Sequence, residues 1–214
     1  LVQDAFTSFY EPKILGAAID VLRALGRHVE VLAYMPSGKG LHVRGFLGRF
    51  ERLAHRNAAI LAPLRAQGLP LVALEPAVAL AFRDEYPKAL DGPSPTVLLI
   101  DEWLAAADGW PEAPQADVVT SLHLLGHCTE RALSPETGSR WARVFERLGA
   151  TLEVERVGCC GMSGAYGHGV AHQEESRGIF EMSWRQLALR VPVPMQKRAL
   201  FGQRLVLRKS RWLS

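Results

Sequence analysis

The sequence predicts an α/β protein built from two similar strand–helix–strand units with a mainly parallel sheet. Short runs rich in Val, Leu and Ile alternate with longer segments of helical periodicity along all 214 residues. Apolar residues make up 48% and charged residues 22% of the chain, which is typical of a globular protein. No run of about 18 apolar residues occurs, so we expect no transmembrane segment.

The predicted elements of the first half follow from changes of hydrophobic period. Pro12 suits the first turn of a helix and Gly26 suits its end, whereas His28–Tyr34 alternates as a strand does. We expect, in order, a helix at 11–26, a strand at 28–34, a glycine-containing loop at 35–45, a helix at 46–67, a strand at 69–74 and a short helix at 76–82.

The second half repeats this alternation after a turn cluster at Asp91–Pro95, the best internal boundary between predicted domains at 1–90 and 96–184. Asp101 is a suitable cap for a short helix. We expect a strand at 96–100, a helix at 102–107, a strand at 116–125, a helix at 138–149, a strand at 150–157 and a helix at 173–184.

The two halves match at an offset of 123 residues. VLRALG at 21–26 matches VFERLG at 144–149, and VEV at 29–31 matches LEV at 152–154. At the same offset Ala5 falls on Cys128, and Pro36 and Ser37 fall on Cys159 and Cys160. We interpret this as a duplicated layout with thiols only in the second copy; chance similarity between two strand–helix units is the alternative.

All three cysteines lie in two loops, Cys128 after one predicted strand and the adjacent pair Cys159–Cys160 after the next. Because the carboxyl ends of parallel strands share an edge, we expect the three sulfurs to lie near one another. Thiolates suit zinc or an iron–sulfur cluster. Inert buried cysteines and a strained disulfide between Cys159 and Cys160 are the alternatives. So few cysteines argue against a secreted disulfide framework and favour a reducing, cytoplasmic compartment.

Histidines beside these cysteines are the candidates for proton transfer or further ligation. His127 adjoins Cys128, whereas His168 and His172 lie in or near the glycine-rich loop after Cys160. We take His168 and His127 as the candidate catalytic residues. Glu130 and Arg131 follow Cys128 at a predicted helix start, where a solvated first turn is the alternative.

A second candidate site is the cationic loop PSGKGLHVRG at 36–45, in which Lys39, His42 and Arg44 could hold a carboxylate of a substrate or cofactor. An exposed basic loop is the alternative. The pattern G-x-x-x-x-G-K-[ST] is absent, which excludes a phosphate loop of that type. Trp103 and Tyr86 are expected to be packing residues.

The net charge of +3 is concentrated at one end of the chain. Residues 185–214 contain eight basic and no acidic residues, so the remainder carries 17 basic against 22 acidic residues. A basic tail is typical of nucleic-acid or membrane binding, but the acidic body supports neither, and we expect no nucleic-acid partner. The chain begins without Met on residues that suit the middle of a strand, and we interpret it as a fragment.

The pairing of HCTE at 127–130 with GCCGMSGAYGH at 158–168 resembles a known family. It is similar to the C-terminal cysteine-rich (CCG) domain of bacterial FAD- and iron–sulfur-containing 2-hydroxyacid dehydrogenases of the D-lactate dehydrogenase and glycolate oxidase type. Related domains occur in the heterodisulfide reductase B subunit and in anaerobic glycerol-3-phosphate dehydrogenase. The resemblance extends from residue 1 to about Trp184.

This resemblance implies that Cys128, Cys159 and Cys160 are iron–sulfur or other metal ligands, with zinc as the alternative. It also implies FAD-binding and ferredoxin-like domains on the same or a partner polypeptide, outside this chain. Flavin would oxidise a small D-2-hydroxy acid of the D-lactate, glycolate or 2-hydroxyglutarate class, and electrons would leave through iron–sulfur centres. The domain would be cytoplasmic, with peripheral association to the inner membrane as an alternative. A structural zinc-binding or metal-free docking module is the alternative function.

The departure from the family pattern lies in the tail. The pattern has another cysteine roughly 35 residues after Cys-Cys-Gly, whereas no cysteine follows Cys160 here. Residues 185–214 are therefore interpreted as an atypical, non-native or disordered end, produced by a change of reading frame. The resemblance then implies that the metal site lacks one protein ligand.

Overall fold

A computed structural model of the chain divides into two units, Leu1–Pro111 and Glu112–Ser214. The structure describes residues 1–110, 121–162, 166–190, 199–201 and 204–208. Helices and short strands alternate in both units, which confirms the α/β class. Among the described residues, no helix is both long and apolar enough to cross a bilayer.

The first unit contains five α-helices among the described residues, preceded by a single π-helical turn at Phe6–Tyr10. Pro12 is the first residue of α1 and Gly26 follows its end with φ of +71°, as the sequence predicts. The helices are α1 (Pro12–Ala24), α2 (Lys39–Val43), α3 (Leu47–Ala66), α4 (Pro76–Leu90) and α5 (Ile100–Ala106).

The sheet of the first unit is short and parallel. Strand β1 (Leu71–Ala73) pairs with β2 (Val97–Leu99), and Val2 bridges to Ala73 on the other side of β1. This pairing joins the segments before and after the turn at 91–95. Both segments therefore belong to the first unit, which continues to Pro111, past the end of the predicted domain at residue 90.

The strand expected at 28–34 is absent from the structure. That segment lies beside residues 1–3, where the Leu32 amide donates to the Leu1 carbonyl at 3.0 Å and Gln3 Nε2 donates to the Leu32 carbonyl. The Leu1 terminal amino group also donates to the Glu30 carbonyl. These two main-chain bonds at residue 1 are too few for a ladder, so the alternation in the sequence reflects an extended segment paired at one residue and not a strand.

Two other boundaries in this unit were wrong. The helix expected at 76–82 continues to Leu90, with Pro87 accommodated in its last turns and Asp91 in the left-handed region at φ 48°. Asp101 lies inside the next helix and does not cap it, because α5 begins at Ile100, two residues before the expected start; the Glu102 carboxylate instead accepts from the Leu99 amide at 2.9 Å.

The core of the first unit lies between α3, α4 and the sheet. Phe50 of α3 meets Tyr86 of α4 edge-on at 5.5 Å between ring centroids, and Phe82 packs on Tyr86 at 4.2 Å. Each such buried side chain stabilises the fold by about 1.5–3 kcal/mol. Tyr86 is therefore a packing residue, as predicted, and α4 is fixed against the loop that follows residue 34.

The second unit carries all three cysteines. Its helices and strands are β3 (Ser121–Leu125), α6 (Cys128–Leu133), α7 (Thr137–Arg147), β4 (Thr151–Glu155), α8 (Gln173–Glu181), α9 (Trp184–Arg190), β5 (Ala199–Phe201) and β6 (Arg204–Arg208). The strands run in the order β4, β3, β6, β5, with β3 and β4 parallel and the other pairs antiparallel. The part of the expected strand at residues 116–120 lies outside the described residues.

The helix expected at 173–184 is two helices, because the chain turns at Met182 and Ser183. Beyond α9, no element was predicted, yet β6 pairs with β3, with Leu205 opposite Leu125. The interpretation of residues 185–214 as non-native rests on their composition and stays a prediction.

Candidate cysteine site

The cysteines occupy two loops that leave the same edge of the second sheet. Strands β3 and β4 are parallel neighbours in a register that places Leu125 opposite Glu155, at the carboxyl end of each strand. Cys128 begins α6 just beyond β3, and Cys159 and Cys160 follow β4. The crossover between the two strands is α7, as the spacing predicts.

Close backbone packing gives the Cys-Cys-Gly loop its shape. Gly161 has φ of +84°, and a Cβ atom there would lie 2.2 Å from the Ser176 carbonyl oxygen in α8. The Gly167 amide returns to the Met162 carbonyl at 3.0 Å, and a Cβ on Gly167 would lie 2.5 Å from Ser176 Oγ. Two glycines are therefore required where the loop lies on α8.

The turn between α8 and α9 holds the other end of the loop. The Gly158 amide donates to Ser183 Oγ at 2.9 Å, and Trp184 Nε1 donates to the Gly158 carbonyl at 3.1 Å. Trp184 also belongs to a buried cluster with Leu125 and Val157. Both main-chain polar groups of Gly158, the residue before the cysteine pair, therefore have hydrogen-bond partners.

The two adjacent thiols have different surroundings. Cys159 is exposed, and its Sγ accepts from the Gly161 amide at 3.4 Å. Cys160 is half-buried against the cluster of Leu125, Val157 and Trp184. Burial raises the pKa of the Cys160 thiol, and the nearby Cys159 and Cys128 sulfurs add smaller contributions in the same direction. A backbone hydrogen bond from Met162 acts in the opposite direction on the pKa of Cys160.

The donor set fits a thiolate-binding metal centre in its chemistry. A nearby cation would favour the Cys160 thiolate that burial disfavours. A single tetrahedral zinc ion with Zn–S bonds of about 2.3 Å holds its sulfurs ~3.8 Å apart. In the described part of the chain, the three sulfurs do not form a group with all ligand atoms within 4.8 Å of one another, so they are not arranged as the ligands of one zinc ion.

Residues flanking Cys128 are more buried than a solvated first turn would be. Glu130 is fully buried and accepts from Thr137 Oγ1 at 2.7 Å, so the solvated alternative does not hold for it. His127 is also buried and is the N-terminal cap residue of α6. Arg131 donates to the Gly158 carbonyl at 3.5 Å, which connects the two cysteine loops.

The other candidate histidines lie in or after the glycine-rich loop. The structure does not describe the side chain of His168. His172 stacks on the Tyr166 ring at 4.0 Å, and its Nδ1 lies 3.3 Å from Glu175 Oε2. The Tyr166 hydroxyl donates to the same carboxylate at 2.6 Å, which raises the pKa of Tyr166 and lowers that of Glu175.

Two of the three candidate residues in the cationic loop at 36–45 contact other side chains of the first unit. Lys39 forms an ion pair with the buried Glu85 carboxylate, so a ligand carboxylate would compete with Glu85. His42 lies edge-on to Phe50 at 5.1 Å, whereas Arg44 is exposed at the end of α2. The structure thus leaves Arg44 as the most accessible of the three candidate anion-binding residues.

The residues that hold these loops were not found by sequence reasoning. Asn57 Nδ2 donates to both the Pro36 carbonyl at 2.9 Å and the Tyr86 hydroxyl at 2.8 Å, and Tyr86 in turn donates to the Ser37 carbonyl. An asparagine on the apolar face of a predicted helix is a signal for such a buried role, and Asn57 sits among Ala54, Ala58 and Leu61. Ser183 carries no comparable signal.

The chain is 50% identical over 187 residues to a D-2-hydroxyglutarate dehydrogenase of Pseudomonas putida, a match that covers 86% of this chain and 18% of that protein. It resembles one segment of such dehydrogenases. The enzyme of that name in Escherichia coli is 40% identical over 195 residues, and that of Haemophilus influenzae 36% over 195 residues, each covering 19% of the relative. The chain therefore spans about a fifth of the length of these relatives. No family model and no solved structure matches it.

Proposed function

We propose that this chain is a cysteine-bearing domain of a flavin-dependent dehydrogenase that oxidises a D-2-hydroxy acid, with D-2-hydroxyglutarate as the favoured substrate. The observation that carries the proposal is the 50% identity over 86% of the chain to a protein of that name. FAD-binding and ferredoxin-like domains, on the same or a partner polypeptide, would supply the oxidation chemistry. D-lactate and glycolate remain alternative substrates from the family resemblance, and the cytoplasm remains the proposed location.

Cys128, Cys159 and Cys160 would hold an iron–sulfur cluster in this domain. Support comes from the parallel pairing of β3 and β4, since both cysteine loops leave the sheet at the carboxyl ends of these two neighbouring strands. Such a cluster, when bound, accepts and donates single electrons. The protein's contribution is to orient the thiols: Ser183 and Trp184 fix Gly158, and α8 supports Gly161. His127 and His168 remain the proposed proton-transfer residues.

We also propose that the two units are copies of one ancestral layout. Gly26 and Gly149, 123 residues apart, have φ of +71° and +70°, and Gly38 and Gly161, at the same offset, have +79° and +84°. Leu1 and Leu32 are hydrogen-bonded much as β3 is to β4. In the first copy, Asn57 and Tyr86 would replace metal ligation as the means of fixing the loop.

The alternative function is a docking module whose cysteines hold structural zinc or no metal. The packing of Cys160 against Leu125, Val157 and Trp184 favours it, because an apolar environment stabilises a neutral thiol. Iron, sulfide and zinc contents of the whole chain, purified without oxygen, separate the two functions. We expect stoichiometric iron and sulfide with broad visible absorption, and loss of most iron in Cys128→Ser, Cys159→Ser and Cys160→Ser.

Met182→Leu is the control for the cysteine variants, because it removes an exposed sulfur from the same unit. Zinc without iron would establish the docking alternative, and a folded, metal-free chain would exclude both metal centres. The dehydrogenase role has its own test. The matching segment of the Pseudomonas putida relative is exchanged for this chain, and oxidation of D-2-hydroxyglutarate, D-lactate and glycolate is measured. Loss of activity on all three substrates would contradict the dehydrogenase role.

A further inference from the structure

A second group of metal-ligating side chains lies on the sheet of the second unit and contains no sulfur. His123 on β3 stands opposite Glu153 on β4, and Glu155 lies two positions further along β4. Alternate residues of a strand share one face of a sheet, so all three side chains are on the same face. It is also the face of Leu125, which packs against Val157 and Trp184.

The three side chains converge on one point. His123 Nδ1 lies 2.6 Å from Glu155 Oε1 and 3.5 Å from Glu153 Oε2. One ligand atom from each residue falls within 4.8 Å of the other two, and this is the one group of three such residues found in the described part of the chain. Neighbouring ligands of a single bound ion have this spacing.

Burial makes the histidine unlike an ordinary surface residue. His123 is 5% exposed, and its Nε2 atom is buried without a hydrogen-bond partner. The side chains of Glu155 and Glu153 are 24% and 56% exposed, which leaves a path from solvent to the group. The Nδ1 side of this buried imidazole faces both carboxylates, so a cation there would bind Nδ1 and offset two negative charges, whereas Nε2 points away from the group.

We propose that His123, Glu153 and Glu155 bind one divalent first-row transition ion. Imidazole and carboxylate together suit Mn²⁺ and Zn²⁺, whereas thiolates favour softer ions. The ion would join β3 to β4 close to the strand ends from which the cysteine loops leave. This proposal rests on its own three residues and does not depend on the function proposed for the cysteines.

Mn²⁺ is the most selective probe, because carboxylates suit it and thiolates favour softer ions. The intact 214-residue chain, treated with chelator and then freed of it, is titrated with Mn²⁺ while the electron paramagnetic resonance signal of the free ion is recorded. We expect one bound Mn²⁺ per chain. His123→Gln and Glu155→Gln should each weaken binding at least tenfold, and Glu153→Gln should weaken it several-fold.

Two controls make the result specific. Glu146→Gln removes an exposed carboxylate from α7 of the same unit and should leave Mn²⁺ binding unchanged. Met182→Leu should also leave it unchanged, since no sulfur takes part. Glu153 is the more exposed ligand, so Glu153→Gln keeps the test valid if the buried variants fail to fold. Absence of Mn²⁺ binding up to millimolar concentration, or unchanged binding in all three ligand variants, would overturn the proposal and leave a cross-strand hydrogen bond.

Discussion

A Cβ atom on Gly161 would lie 2.2 Å from the carbonyl oxygen of Ser176. The loop and α8 are thus in contact at a point where no side chain fits, directly after the cysteine pair. The left-handed φ of +84° at Gly161 adds a second reason for glycine at this position. The position of Cys160 therefore depends on α8 as well as on β4.

Gly161→Ala is expected to destabilise the chain by about 1–3 kcal/mol and to lower its iron content several-fold, because the loop must move away from α8. Urea unfolding and metal analysis measure the two effects. The matched control is Gly178→Ala, within α8, where a Cβ meets nothing within 4 Å and helix propensity predicts a gain of about 0.5–1 kcal/mol. Equal behaviour of the two variants would contradict the proposed contact.

Ser183→Ala is expected to cost about 1 kcal/mol, since it removes the acceptor for the Gly158 amide. The cysteine loop should also become more mobile, which faster hydrogen exchange at the Gly158 amide would report. Ser139→Ala serves as the control, because its hydroxyl is exposed and donates to the carbonyl of Glu136, the residue before α7, away from the cysteine loop. A Gly158 amide that exchanges at the same rate in both variants would disprove the role of Ser183.

Glu85→Gln tests the ion pair in the first unit. We expect a loss of about 1–3 kcal/mol, less than for a fully buried pair because the Lys39 side chain is 33% exposed. Glu51→Gln, at an exposed position of α3, should change the free energy of unfolding by less than about 0.5 kcal/mol. A double-mutant cycle with Lys39→Met measures the pairwise part, and a coupling energy near zero would contradict the pairing.

The buried Tyr86 phenol should make the free energy of unfolding depend on pH in the alkaline range. Burial raises its pKa to about 12, from an ordinary value of 10.0. Between these values the unfolded chain releases the phenol proton and the folded chain retains it. The free energy of unfolding should therefore fall as the pH rises from 10 to 12, by an amount on the order of 2 kcal/mol.

Tyr86→Phe should remove that part of the pH dependence, measured by urea unfolding at a series of alkaline pH values. It should also lower stability near pH 7 by about 1 kcal/mol, because the Asn57 amide and the Ser37 carbonyl lose a partner. Tyr34→Phe, at an exposed position, should keep the alkaline fall. An identical alkaline profile for Tyr86→Phe and the unmodified chain would show that Tyr86 is not its cause.

The sequence predicts the order of most elements because their signals are local. Pro12 and Gly26 bound α1 as expected, and the periodicity of residues 46–67 gives α3 nearly to the residue. The sequence predicts a strand at 28–34 because its apolar and polar residues alternate. Such alternation shows which face of a segment is apolar, but it does not show whether a second strand pairs with that segment. Pairing partners are a property of the tertiary structure.

The placement of the cysteines is predictable from the sequence, whereas the residues that support their loop are not. The position of Cys128, Cys159 and Cys160 after adjacent strands follows from the α/β rule. Ser183 accepts a hydrogen bond from a main-chain amide 25 residues earlier in the chain, and Ser176 meets the loop through its own carbonyl oxygen. The residue type at these two positions says little about either contact. The group of His123, Glu153 and Glu155 depends on the register of β3 and β4, which the sequence leaves open.

The Gly158 amide is hydrogen-bonded to the hydroxyl of Ser183, which lies 25 residues later in the chain. During synthesis, the cysteine pair therefore leaves the ribosome well before the residues that fasten its loop. Until Ser183 and Trp184 emerge, the loop lacks both of the hydrogen bonds that fix Gly158. The cysteine loop can therefore take its final shape only after the beginning of α9 has been synthesised.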